Sequence, residues 1–197
     1  MFQIFLQDLL KATIALLIVV DPLGNVPIFI SLTKGLSKED RKRAFNTASI
    51  VAFAIAIAFV LGGQQLLSLF GIGMYSFMIA GGILLAFLAF KILVHGEWTE
   101  STASREDVGA VPIAFPLLIG PGAITTLLVF HQTSGVAVSV SSVLIVMAVT
   151  RIVLRFIDSI YRVLGRTGSA VVARLMAIFI AAIAVEFITE GVKHAFP

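Results

Sequence analysis

The chain has 197 residues and a net charge of +3; 59% of it is hydrophobic and only 13% charged, with a mean hydropathy of +1.07. A soluble domain of this size is about half apolar and about a quarter charged, so the excess apolar surface is expected to face a lipid bilayer. The small charge gives no reason to expect nucleic acid as a partner, and the absence of cysteine excludes disulfides, thiolate metal sites and cysteine nucleophiles.

The first element is an apolar run over Phe2–Leu32, longer than the roughly 20 residues one crossing needs. Its start lacks a basic region and a small-residue cleavage site, so no cleaved signal peptide is expected. Asp21-Pro22-Leu23-Gly24-Asn25-Val26-Pro27 interrupts the run. Two prolines, a glycine, an acid and an amide at membrane depth require protein or a watery cavity to receive the freed backbone groups. The residue before proline is pushed out of the α region, so the first half-helix is expected to end near Asp21. Asn25 is read as the N-cap of a second half-helix with Pro27 in its first turn. Asp21 has two readings: a structural cap or ligand-positioning group, which is favoured, or a proton carrier.

Further spans are predicted at Phe45–Phe70, Met74–Val94, Val111–Gln132, Val136–Phe156 and Ala170–Val192. Gly71-Ile72-Gly73 reads as a tight turn, and Gly96–Asp107 as the one long polar connector. The fold class is therefore an all-α membrane protein of six transmembrane helices forming one domain over 1–197. Repeat 1 covers about 1–95, a connector about 96–110 and repeat 2 about 111–197. Three spans per half make the halves inverted, and the first and fourth helices are both broken near the midplane. The second break is Gly120-Pro121-Gly122, where Pro121 opens a half-helix and Gly122 permits close approach. Ile83, Ala86 and Ala89 of span three also match Ile178, Ala181 and Ala184 of span six.

All of the 14 Lys and Arg except Lys11 and Lys193 fall in or beside the connectors near 33–43, 96–110 and 157–169. The positive-inside rule places these connectors in the cytoplasm and both termini outside. Arg151, Arg155, Asp158 and Arg162 read as one face of interfacial anchors paired with Asp158. Glu186, Gln64 and Gln65 read as outer-interface residues and His131 as a packing residue. Gly81-Gly82 and Ala177, Ala181 and Ala184 supply small faces for close helix packing.

Each break is expected to present free N–H groups, suited to a carboxylate, and free carbonyls, suited to an ammonium or cation. Asn25, Thr125 and Thr126 add neutral donors and acceptors. A small zwitterion fits such a site; the competing reading makes the prolines simple kinks repaired by neighbouring helices. His95, His131 and His194 have no partners at metal-motif spacing, and no nucleophile–base pair or phosphate loop is evident. Neither metal, cofactor nor enzyme activity is expected; a coupling ion, H+ or Na+, and a homo-oligomer are left open.

The segments Asp21–Phe29, Pro116–Thr125 and Ile79–Leu85 together resemble the MarC family of bacterial and archaeal inner-membrane proteins, over essentially the whole length. That family is similar to LysE-type transporters and includes SnatA-type carriers of small neutral amino acids. The resemblance implies a multi-pass plasma-membrane protein with a small-molecule substrate held by Asp21, Pro22, Gly24, Asn25, Pro27, Gly120, Pro121, Gly122 and Thr125. The function expected is secondary transport of small neutral solutes, such as glycine, alanine or serine, by alternating access. A channel or facilitator, or a non-transporting membrane scaffold, is the alternative.

Overall fold

The computed structural model describes residues 2–33, 35–95 and 109–195. Its helices, in chain order, are α1 (Phe2–Val20), α2 (Val26–Leu32), α3 (Lys38–Leu69), α4 (Met74–His95), a π helix (Gly109–Leu118), α5 (Pro121–Arg155) and α6 (Ile157–Ala195). There is no strand among the described residues. Most of the predicted connector over 96–110 lies outside them.

Among the described residues, five helices are long and apolar enough to cross a membrane: Gln3–Val20, Lys38–Leu69, Met74–Val94, Pro121–Arg155 and Ala170–Ala195. This differs from the six separate spans read from the sequence. The predicted spans Val111–Gln132 and Val136–Phe156 enter as the π helix followed by the single 35-residue α5. The boundary between them survives as a local break, because Gly135 has φ 85° and ψ 171° inside α5. Gly135 is exposed and needs the left-handed freedom that glycine supplies.

Local chemistry sets the ends of α3. Ser37 caps it by accepting from the Asp40 N–H at 3.1 Å, with Glu39 and Asp40 placed at the positive end of the helix dipole. The helix stops at Phe70, and Gly71, with φ 66°, turns the chain into α4, as the Gly71-Ile72-Gly73 spacing predicts. Between these ends Phe45, Ala48, Ala52, Ala56, Val60, Gly63 and Leu67 form a buried face at helical spacing.

α5 is the central element. Gly122 to Val129 are buried without interruption, so this stretch has neighbours on all sides. α1 and α3 pack against it, α3 also covers the π helix, and α4 packs along α6. Small residues make the α4–α6 contact close: a side chain at Gly82 would strike the Ala184 carbonyl, and one at Gly191 the Tyr75 carbonyl. Within a bilayer such close backbone approach is a main source of helix association, because lipid removes the hydrophobic incentive.

Candidate functional site

The first break follows from three adjacent features. α1 ends at Val20, and the Asp21 N–H still donates to the Leu17 carbonyl at 2.9 Å. Asp21 then takes a left-handed conformation, φ 41°, which is uncommon without glycine but tolerated by Asp and Asn. Its carboxylate folds over the turn and accepts from the Gly24 N–H at 2.9 Å. Any side chain on Gly24 would collide with that carboxylate, so Gly24 is a steric requirement of the turn. α2 starts at Val26, with Pro27 in its first turn, where the missing N–H is not needed.

Asn25 occupies the expected N-cap position, and its carbonyl accepts from the Phe29 N–H at 3.0 Å. Its side chain, however, does not cap α2. The amide Nδ2 donates backwards to the Val20 carbonyl at 3.1 Å and so satisfies the end of α1. The capping expected of Asn25 is corrected accordingly: the carbonyl left free by the end of α1 takes its donor.

The second break uses backbone alone. Gly120 is extended, with φ −88° and ψ −177°, and caps α5 without any side-chain hydrogen bond. A side chain at Gly120 would strike the Pro116 carbonyl. Pro121 opens the helix, and the first intrahelical bond runs from the Ile124 N–H to the Gly120 carbonyl at 3.0 Å. The N–H groups of Gly122 and Ala123, in the first turn, therefore have no acceptor within the helix. The preceding segment is a π helix rather than an α helix, its last bond running from the Ile119 N–H to the Ala114 carbonyl five residues back. Pro112 and Pro116 lie within it and contribute no N–H.

The two breaks share one cavity of about 270 Å³. Asp21, Gly24, Asn25 and Pro27 line it from the first break and Gly120, Pro121 and Gly122 from the second. They come together because Gly122 is pressed against Val19 at the end of α1 and Leu85 of α4. The cavity extends along α4 to Ile92 and along α6 from Ile180 back to Ala173 and Ala170, which follow the break that Gly165, with φ 63°, makes in that helix. It thus runs from the breaks toward the end of the bundle where α4 stops and the apolar part of α6, Ala170–Ala195, begins.

Three residues predicted for the site lie elsewhere. Pro22 is buried but does not line the cavity. Thr125 and Thr126 are 1% and 0% exposed, and their hydroxyls donate to the Pro121 and Gly122 carbonyls, each at 2.9 Å. Both hydroxyls are used one turn back on their own helix, and Thr125 also fills the space left by Gly81 of α4. Conversely, Leu84, Leu85, Phe87, Leu88, Pro116 and Leu117 form much of the wall and were not anticipated. One signal for Leu85 existed: Gly81, Leu85 and Ala89 share a helical face that begins with a glycine able to admit a neighbour.

The anchor face predicted over Arg151, Arg155, Asp158 and Arg162 is also rearranged. α5 ends at Arg155, so Asp158 belongs to α6 and pairs with Arg41 of α3 at 2.6 Å. Glu186, Gln64 and Gln65 are exposed. His131 is partly buried, and its Nδ1 is buried without a hydrogen-bond partner among the described residues.

Residues 6–196 match the MarC family of integral membrane proteins. A UPF0056 membrane protein of Archaeoglobus fulgidus is 38% identical over 190 residues, covering 91% of this chain and 89% of the relative. One from Aquifex aeolicus is 36% identical over 197 residues, covering 93% and 92%. The UPF0056 membrane protein YhcE of Escherichia coli is 35% identical over 201 residues, covering 95% and 93%. No solved structure matches. With a bundle of apolar helices and a match over nearly its whole length, the chain belongs to the MarC family of multi-pass integral membrane proteins.

Proposed function

We propose that the protein is a secondary transporter of small neutral solutes, small neutral amino acids such as glycine, alanine and serine first among them. The observation that carries this reading is the convergence of two broken helices on one cavity. Its volume of about 270 Å³ lies just under the roughly 300–1,000 Å³ of drug-sized ligand pockets, which suits a small solute. Gly122 and Ala123 N–H groups offer donors to a carboxylate. Carbonyl oxygens at the breaks, each with a second lone pair, offer acceptors to an ammonium. The surrounding Leu and Ile side chains accept a short apolar group and disfavour a charged one.

Six crossings in two inverted halves accommodate this site. The Gly135 break turns α5 into two passes, so that α1–α2 corresponds to the π helix with the first part of α5. The pairings agree with a two-fold arrangement: α4 packs on α6, the third span of each half, and the two broken spans pack together through Gly122 and Val19. The positive-inside rule places both termini outside. The cavity then opens to the cytoplasm, as one end state of an alternating-access cycle in a bacterial or archaeal plasma membrane.

Reconstitution into liposomes tests the proposal. Labelled alanine and glycine, presented under imposed proton and sodium gradients, should enter saturably and faster with unlabelled solute on the opposite side. Flux equal to that of empty liposomes across a panel of neutral amino acids rejects it. Non-saturating conductance would instead favour a channel.

A further inference from the structure

A second cavity, of about 470 Å³, lies where α3 begins, α5 ends and α6 begins. Five cations line it: Lys38, Arg41 and Lys42 from the start of α3, and Arg151 and Arg155 from the end of α5. Among the described residues Asp158 is the one anion in the lining, and its carboxylate is engaged by Arg41 at 2.6 Å. Lys38, Lys42, Arg151 and Arg155 have no ion-pair partner among the described residues. Four positive charges in a single concavity are thus uncompensated by those residues.

Two arguments separate this arrangement from ordinary interfacial anchors. Anchors snorkel outward and spread into water. Here α3 and α5 set exposed like charges around a single hollow, where they repel one another with only salt to screen them. An anion in the hollow turns that repulsion into attraction. The second argument is chemical. Two arginines among the cations offer paired N–H donors that match the tetrahedral oxygens of phosphate. The floor is apolar, made by buried Phe45, Leu154 and Ile157. Next to the cations, Ile145 and Ile152 of α5 and Phe156 just after it are exposed apolar residues at helical spacing, along which an acyl chain can lie.

We propose that this five-cation cavity binds a phosphate group, supplied either by the headgroup of an anionic phospholipid or by free phosphate. The exposed apolar residues favour the lipid. Basic pockets between transmembrane helices are suited to such headgroups at the positively charged side of a membrane protein. The inference stands apart from the transport reading, because it uses none of the residues at the two breaks.

The test uses the purified full-length chain in detergent. Phosphatidylglycerol and phosphatidylcholine are titrated separately, and sodium phosphate is compared with sodium chloride at matched ionic strength. Bound lipid is counted by native mass spectrometry, and Tm is followed in parallel, since a ligand of the folded state raises it by mass action. Phosphatidylglycerol should raise Tm by several degrees over phosphatidylcholine. The Arg151→Gln/Arg155→Gln variant should bind it about tenfold more weakly or worse. Lys38→Gln/Lys42→Gln should show the same direction of change, and it carries the test if the arginine variant does not fold. Arg162→Gln, a basic residue outside the cavity, should bind as wild type does. If sodium phosphate alone produces the full rise and lipid adds nothing, the source of the phosphate group is soluble. Equal effects of both lipids together with equal effects of both salts overturn the proposal, as does an Arg162→Gln loss as large as that of the cavity variants.

Discussion

The two breaks solve one problem, a helix interrupted at membrane depth, by different means. At the first, side chains close the turn: Asp21 holds the Gly24 N–H and Asn25 holds the Val20 carbonyl. At the second, no side chain caps the α5 N-terminus, and the N–H groups of Gly122 and Ala123, two residues that line the shared cavity, have no acceptor within the helix. A self-satisfied turn has fewer groups to offer a ligand, whereas an unsatisfied one depends on a ligand, water or a neighbour. Under the proposed transport function, the contrast makes the first break scaffold and the second recognition, although their sequences look equivalent.

Gly122→Val should have the largest effect. The added methyl groups meet Leu85 and Val19 and fill the wall where the breaks touch. Overpacking of this kind costs about 1–3 kcal/mol, and solute flux in liposomes should fall to background. Variant protein that folds and transports at the wild-type rate would remove the second break from recognition.

Gly24→Ala comes next. The new methyl collides with the Asp21 carboxylate and displaces it from the Gly24 N–H. A strained turn with a lost buried hydrogen bond should cost about 2 kcal/mol, measured as a lower denaturation midpoint in detergent. Unchanged stability would mean that the first break is not held by its side chains. Asn25→Ala probes the other half of the same turn. It strands the Val20 carbonyl, at a cost of about 1–2 kcal/mol. Asn25→Asp should be no better, because an acid offers no donor to that carbonyl.

How much of this was legible beforehand depended on the kind of residue. The breaks could be read because proline and glycine act locally, and both appear where the apolar runs are interrupted. The turn at Gly71 and the break at Gly135 belong to the same class. The helix packing implied by Gly82 and Ala184 was legible too, since small residues in apolar helices have few other uses. Partnerships over distance were not. Arg41 pairs with Asp158 across 117 positions, and nothing in the spacing of Arg151, Arg155 and Asp158 signals that the helix stops before Asp158. The wall residues of α4 were hidden for a different reason. In an all-apolar helix, hydrophobic periodicity cannot distinguish a cavity-facing leucine from a lipid-facing one. Hydrogen-bond direction was also concealed: an Asn at a helix start suggests an N-cap, and only the three-dimensional turn puts the Val20 carbonyl within reach of its amide.

Asp21 separates charge from shape. Asparagine keeps an acceptor for the Gly24 N–H and tolerates the left-handed conformation, φ 41°. Asp21→Asn should therefore retain both stability and flux, while Asp21→Ala should lose about 1 kcal/mol as a cap is lost. Stable Asp21→Asn protein without flux would show that the carboxylate charge itself is used, as a proton carrier or an ammonium partner.

The smallest effect is expected at Thr125 and Thr126, and it tests the contrast from the opposite side. Both residues follow directly on the recognition break, and their polarity in an apolar helix invites a role in binding. Their hydroxyls, however, are spent on the Pro121 and Gly122 carbonyls, and neither residue lines the cavity. Valine is nearly isosteric with threonine, so Thr126→Val removes one intrahelical hydrogen bond and adds no cavity. The loss should be about 1 kcal/mol or less, with the half-saturation concentration for alanine within about twofold of wild type, since an altered contact to the solute would shift it further. The carbonyls that these hydroxyls occupy lie in the first turn of α5, beside the free N–H groups. A large rise in half-saturation without loss of stability would therefore mean that the threonines orient this turn for the solute, and recognition would extend one turn deeper into α5 than the cavity wall.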